Sequence, residues 1–245
     1  MSIAIHSENQ LFSVLPPEDY ELLRRYLRGV LLRPQAVLFD KGDTIDRAYF
    51  PHRGAVSLNV VLANGQMIES AIVGRDGVVG GQAALDSQPS AVRAVVQVEG
   101  AATTIDIAIL QQLAATRDSI RLLLLRHEQM LLARTQQIAA CNAVHSLEAR
   151  FCRWLLSAHD MCGGAPLAVT QEKIAELLGV RRTSICLVAH TMQQAGLIHT
   201  RRGQIEILDE AALRANACEC HAVMSEHAAR LGGSPRHGED EVKIA

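Results

Sequence analysis

The sequence predicts an α+β chain in three parts: an N-terminal β roll, a long helix, and a C-terminal helical hairpin followed by two short strands. Three observations carry this. Val56, Leu58, Val60 and Leu62 alternate with other residues, as do Val92, Ala94, Val96 and Val98, which is the strand period of two. Residues 118–140, DSIRLLLLRHEQMLLARTQQIAA, hold neither Gly nor Pro. Residues 170–198 place apolar residues at helical spacing on either side of Gly179.

Composition sets the bounds. The chain has 245 residues, 49% of them hydrophobic, enough for packed cores. A net charge of −2 excludes a polycation that coats nucleic acid. Locally the balance differs: across 170–204, Lys173, Arg181, Arg182, Arg201 and Arg202 face only Glu172 and Glu176. No apolar run approaches the ~18 residues that span a bilayer. The start, MSIAIHSENQLF, lacks the basic and apolar regions of a signal peptide. Six cysteines, at 141, 152, 162, 186, 218 and 220, show no disulfide-framework spacing, so a reduced, cytoplasmic protein is expected.

Taken in order, residues 15–28 read as a short amphipathic helix, with Pro17 in its first turn and Leu22, Leu23, Tyr26 and Leu27 on its apolar side. From about 35 to 110, Gly42, Gly54, Gly65 and Gly74 punctuate short strands, as in a small roll or barrel. Asn64-Gly65 signals a hairpin, since both residues tolerate positive φ. In the long helix, Ile120, Leu124, Leu131 and Ile138 form a stripe that His127 and Arg134 interrupt; such a helix is expected to be a dimer seam. Another helix, about 146–160, carries Leu147, Phe151, Trp154 and Leu155. Residues 209–231 read as one further helix.

The hairpin TQEKIAELLGVRRTSICLVAHTMQQAGLI carries the functional signal. Ile174 and Leu178 share one helix face, and Ile185 and Val188 share a face on the next. Gly179 suits the left-handed backbone between them, and Ala175 permits a close crossing. This is the pattern of a helix-turn-helix, whose second helix enters the DNA major groove. Thr170 is a good N-cap. Arg181, Arg182, Thr183 and Ser184 open the second helix, where base edges are reached. GLIHTRRGQIEIL then reads as a two-stranded wing with Arg201 and Arg202 at its tip, within reach of a phosphate backbone.

A Gly-punctuated roll, a long helix and a winged helix-turn-helix, in that order, resemble the Crp/Fnr family of bacterial transcription regulators. The resemblance covers about 12 to 225 and is strongest over LAVTQEKIAELLGVRRTSI and AGLIHTRRGQIEIL. It implies a cyclic-nucleotide-binding-like roll and a homodimer on a palindromic promoter site of double-stranded DNA, with RNA polymerase as a partner and no membrane. By position, Arg181 to Ser184 fall on the base-reading stretch, and Thr170 and Gln171 fall where the family touches phosphate. At 187, where better-known members carry Arg, this chain has Leu187, so their operator is not expected and Arg182 becomes the foremost direct reader.

These readings divide the chain into a sensor-like β-roll domain over 1–117, a dimerisation helix over 118–145, a winged helix-turn-helix DNA-binding domain over 146–231 and a disordered tail over 232–245. The signal received by the roll is less legible. GRDGVVGGQAALDSQPSAVRAVV lies where cyclic-nucleotide-binding members place their phosphate cassette. Gly80 and Gly81 are followed by Gly and Gln rather than Glu, Ser90-Ala91 stands for the Arg-Ser pair, and Arg93 is displaced by three positions. A phosphate buried without its Arg would cost several kcal/mol, so cyclic AMP is not expected. The first 140 residues hold no Cys, which argues against the family's iron–sulfur sensor. His6, His52 and His127 are isolated in sequence. Cys218, Cys220, His221 and His227 have metal-like spacing in part. On one helix, however, Cys218 and Cys220 would point about 200° apart, so no metal is expected there. A sensor acting on a protein partner is the rival reading. No Walker loop, G-x-S-x-G, H-E-x-x-H or paired-carboxylate motif suggests an enzyme.

Overall fold

The computed structural model describes residues 9–162 and 166–232. His6 and the tail expected beyond Gly232 lie outside the described residues. A 3-10 turn at Gln10–Val14 is anchored by Asn9, which donates to the carbonyls of Pro51 and Gly77. α1 (Pro17–Arg24) has Glu18 and Asp19 in its first turn. It ends sooner than expected: Leu23 is buried, while Tyr26 lies past the helix and is exposed.

The roll is an antiparallel sheet of β1 (Arg28–Leu32), β2 (Val37–Phe39), β3 (Arg47–Val61), β4 (Met67–Val73) and β5 (Arg93–Asp106). The strand order is β1-β5-β3-β4, with β2 also pairing with β5. The two long central strands carry Phe50, Val56, Ala94, Val96 and Ile105 into a core that Phe12 and Leu23 close from one side. At the β3–β4 hairpin, Gly65 takes φ +81 while Asn64 stays at negative φ. Asn64 accepts from the Gln66 N–H instead, so only one of the two turn residues uses the left-handed region.

α2 (Ile107–Thr116) and α3 (Asp118–Val144) are separated by the extended Arg117. The 27 residues of α3 span about 40 Å. Its predicted stripe is buried within the chain, with Ile120, Leu124 and Leu131 against the core of the roll, and its polar members belong to it rather than interrupt it. His127 is fully buried and accepts from the Val78 N–H at 3.2 Å. Gly77 lies so close that a Cβ there would fall 2.7 Å from His127 Nε2. Arg134 is buried and ion-paired with Asp76. Burial alone would push the Asp76 carboxyl up, but the Arg134 charge and hydrogen bond, with His127, hold it below the usual range. The stripe expected to be a dimer seam is therefore spent inside its own chain. A second stripe of α3, through Leu122, Leu125 and Leu132, is exposed.

α4 (Leu147–Cys162), α5 (Gln171–Leu177), α6 (Arg182–Gln194), β6 (Ile198–Arg201), β7 (Gln204–Ile207), α7 (Glu210–Asn216) and α8 (Cys220–Gly232) complete the chain. Phe151, Trp154, Ile174, Ile185, Val188, Ile198 and Leu213 form a second core, which Ala55, Ile72 and Val98 of the roll join. Residues 209–231 are two helices and not one. Asp209 caps α7 through the Ala212 N–H, and Ala217 is extended. Cys218 thus lies in the break and Cys220 begins α8, so the 200° separation expected for one helix does not hold. Tertiary packing overrides the helical propensity of this stretch, because the turn buries Cys218, Cys220 and His221. No helix among the described residues is long and apolar enough to cross a membrane.

Candidate nucleic-acid interface

α5 and α6 are held at their crossing by Ile174, Ala175, Leu177, Leu178, Ile185, Val188 and Ala189, all buried. Two devices set the turn between them. Gly179 takes φ +67, and its Val180 neighbour donates to the Ala175 carbonyl. Arg150 of α4 donates to the Leu178 carbonyl at 2.7 Å, satisfying an orphan acceptor at the end of α5. At the other end Thr170 caps α5, its hydroxyl accepting from the Lys173 N–H at 3.1 Å. Gln171 is half-buried at the first helical position.

Arg181 is the N-cap of α6, and Arg182 and Thr183 are exposed in its first turn, with Ser184 half-buried beside them. The wing follows at once. Arg201 pairs with Gln204 in the β6–β7 ladder, and the turn at Arg202 and Gly203 is exposed. Gln193, in the last turn of α6, accepts from the Thr200 N–H at 2.8 Å and from its hydroxyl, so the wing is pinned to α6 itself. Leu167 makes a bridge with Ile205 on the other side of β7.

Charge follows the same geometry. Lys173 is ion-paired with Glu176 at 3.0 Å. Among the described residues, no hydrogen bond or ion pair engages the side chains of Arg181, Arg182, Arg201 or Arg202. Four unpaired guanidinium groups on the N-terminus of one helix and the adjoining wing make a surface that attracts a polyanion. Leu187 is 68% exposed on the outward side of α6, one turn beyond Thr183. Its residue type alone suits a core position; its place four residues after Thr183 is what marks the outward side.

Two further side chains tie this unit to the roll, and nothing in the sequence pairs them. Trp154 of α4 donates through Nε1 to Glu69 Oε1 of β4 at 2.9 Å, while the Ser57 hydroxyl donates to Glu69 Oε2. Glu69 is buried, and desolvation raises its pKa to about 7 against the opposing pull of Ser57, Arg153, Trp154 and Lys173. Gly179 faces Ile68 of the same strand, so the helix-turn-helix turn rests on the roll.

The cassette-like segment is occupied by its own contacts. The Ser90 hydroxyl donates to the Val92 carbonyl at 2.7 Å, and Arg93 pairs with Asp40 at 3.2 Å. A Cβ at Gly81 would fall 2.8 Å from Val78 and 3.2 Å from Leu124, so this glycine backs onto packed side chains.

Comparison with known proteins fits these observations. Residues 149–216 match the Crp-like helix-turn-helix domain, and residues 30–117 match the cyclic nucleotide-binding domain. No curated protein sequence matches the chain significantly. Among solved structures, the c-di-GMP-responsive global regulator CLP of Xanthomonas campestris superposes with a TM-score of 0.63 at 20% identity, over 79% of this chain and 100% of that one. A CRP-family transcriptional regulator from Thermus thermophilus gives 0.64 at 23% identity, over 77% and 96%. FixK2 from Bradyrhizobium japonicum gives 0.65 at 16% identity, over 78% and 98%. At these identities the structures establish a shared fold.

Proposed function

Because the chain belongs to the Crp/Fnr family of transcriptional regulators, we propose that it acts as a homodimer on a palindromic promoter site of double-stranded DNA. The observation that carries this reading is the row of unpaired guanidinium groups at Arg181, Arg182, Arg201 and Arg202 on the exposed start of α6 and the wing. Arg182 reads a base edge, and a guanine offers it two acceptors in the major groove. Thr183 and Ser184 contact bases or the adjoining phosphates. Thr170 and Gln171 approach the backbone at the start of α5, and Arg201 and Arg202 hold the flanking phosphates. Leu187, exposed on the reading side, suits the methyl group of thymine rather than a guanine.

Dimerisation places two such helices on successive turns of the groove. We assign the seam to Leu122, Leu125 and Leu132, because the other stripe of α3 is already buried within its own chain. The roll serves as sensor or scaffold. The self-satisfied Ser90 and the ion-paired Arg93 support a signal other than cyclic AMP. RNA polymerase is the expected partner at the promoter.

Electrophoretic shift with fragments of the source genome tests the reading. Retention of a subset of fragments, weakening steeply as salt rises, is the expected result. Failure to retain any fragment at low salt would overturn it and favour a sensor that acts on a protein partner.

A further inference from the structure

Four potential ligands converge where the long helix meets the end of the chain. Cys141 and His145 lie four residues apart at the end of α3. Cys218 sits in the α7–α8 break and Cys220 at the start of α8. The three sulfurs and a ring nitrogen of His145 all lie within 4.8 Å of one another. Cys141 Sγ and Cys218 Sγ are 3.5 Å apart, and Cys220 Sγ is 3.6 Å from His145 Nδ1. All of these cysteines are free thiols. The three form a small buried cluster apart from the two main cores.

The 3.5 and 3.6 Å separations are those of one coordination shell. With Zn–S near 2.3 Å and Zn–N near 2.0 Å, a tetrahedral ion spaces its ligand atoms by roughly 3.5–3.8 Å. A four-iron cluster sets each thiolate on a different iron and holds the sulfurs farther apart. The surroundings also fit an ion. Nε2 of His145 faces Glu219 Oε2 at 3.2 Å, the carboxylate–histidine arrangement that fixes the ring and leaves Nδ1 for a metal. Gln137 donates to Cys220 Sγ at 3.0 Å.

We propose that Cys141, Cys218, Cys220 and His145 bind a single thiophilic ion, zinc by preference, in a tetrahedral three-sulfur, one-nitrogen site. Binding releases one proton from each of the three thiols and leaves His145 neutral. All four coordination positions are filled by protein, so the ion is structural and not catalytic. It clasps the end of α3 and the start of α8 together beside Ser146, where α3 gives way to α4. It thereby fixes the junction between the long helix and the DNA-facing unit.

The test is titration of full-length, reduced and chelator-stripped protein with Co²⁺, followed by Zn²⁺. We expect one Co²⁺ per chain, thiolate-to-cobalt charge-transfer absorption, the strong visible bands of a tetrahedral ion, and bleaching by one equivalent of Zn²⁺. Cys141→Ser and Cys218→Ser should abolish the spectrum, and Cys186→Ser should leave it unchanged. His145→Gln, on the more exposed ligand, should keep the sulfur bands and bind at least tenfold more weakly, which guards against misfolding of the cysteine variants. No uptake by the wild-type protein, the weak spectrum of an octahedral ion, or an unchanged spectrum in Cys141→Ser would overturn the proposal. So would a Cys141–Cys218 disulfide as the only chemistry found at the site. The readout does not depend on DNA, so it stands or falls separately from the regulator reading.

Discussion

Arg182 begins α6 exposed and without an intramolecular partner among the described residues, so its guanidinium donors are open to solvent, as the proposed base contact requires. Arg182→Ala should relax preference at one base position, costing about 1–3 kcal/mol there, when binding is measured against a library of single-base operator variants. Equal weakening across all variants would make it a phosphate contact. Glu69 makes a prediction of a different kind. Its folded pKa of about 7 exceeds the unfolded 4.5, so the fold favours the protonated acid. That contribution is complete below pH 4.5, declines as pH rises toward 7, and is gone above it; on the order of 3 kcal/mol is at stake. Thermal melts of the wild type and Glu69→Gln across pH 4.5–8 check this, and the variant should lack that part of the decline. Both residues illustrate the limit of reading a sequence. Arg182 was legible because its position in the hairpin fixes its direction. Glu69 was not, because its partner Trp154 lies 85 positions away and only the docked fold brings them together.

At the scale of elements, α3 shows what periodicity settles and what it leaves open. Its length and freedom from Gly and Pro announced the helix, but two stripes share its surface and hydropathy alone does not say which one faces the roll. His127 and Arg134 decided it, since each is spent on a partner in the loop after β4: Val78 for one, Asp76 for the other. The exposed stripe is the one left for the proposed dimer seam. Leu132, 59% exposed, is its most telling member. Leu132→Glu should shift sedimentation velocity from dimer to monomer while leaving the circular dichroism spectrum intact, because a charge in an apolar seam is costly but at the surface is not. A dimer unchanged in the variant would place the seam elsewhere. The α7–α8 break was hidden for the opposite reason: Ala-rich residues 211–217 read as continuous helix, and only burial of Cys218 and His221 explains why the chain turns.

At the scale of the whole molecule, the roll and the helix-turn-helix unit share a core through Ala55, Ile72 and Val98 and meet again at Ile68 and Gly179. β4 therefore packs directly against the turn between α5 and α6. The overall architecture was legible from strand period, the uninterrupted helix and the Gly-centred hairpin, each a local pattern. Docking between the parts was not, because it rests on pairs distant in sequence. The cassette segment lies within the match to the cyclic nucleotide-binding domain, yet Ser90 and Arg93 are engaged locally. Cyclic AMP should leave the melting temperature unchanged, whereas a ligand at about 100 times its Kd would add roughly 2.7 kcal/mol. In the proposed dimer, paired α6 helices read a two-fold symmetric site. DNase I footprinting on a fragment retained in the shift assay tests it most directly. The expected result is protection of two inverted half-sites centred one helical turn apart, about 10 base pairs, with Arg182→Ala losing one position in each. Protection of a single half-site, or no footprint on any retained fragment, would contradict it.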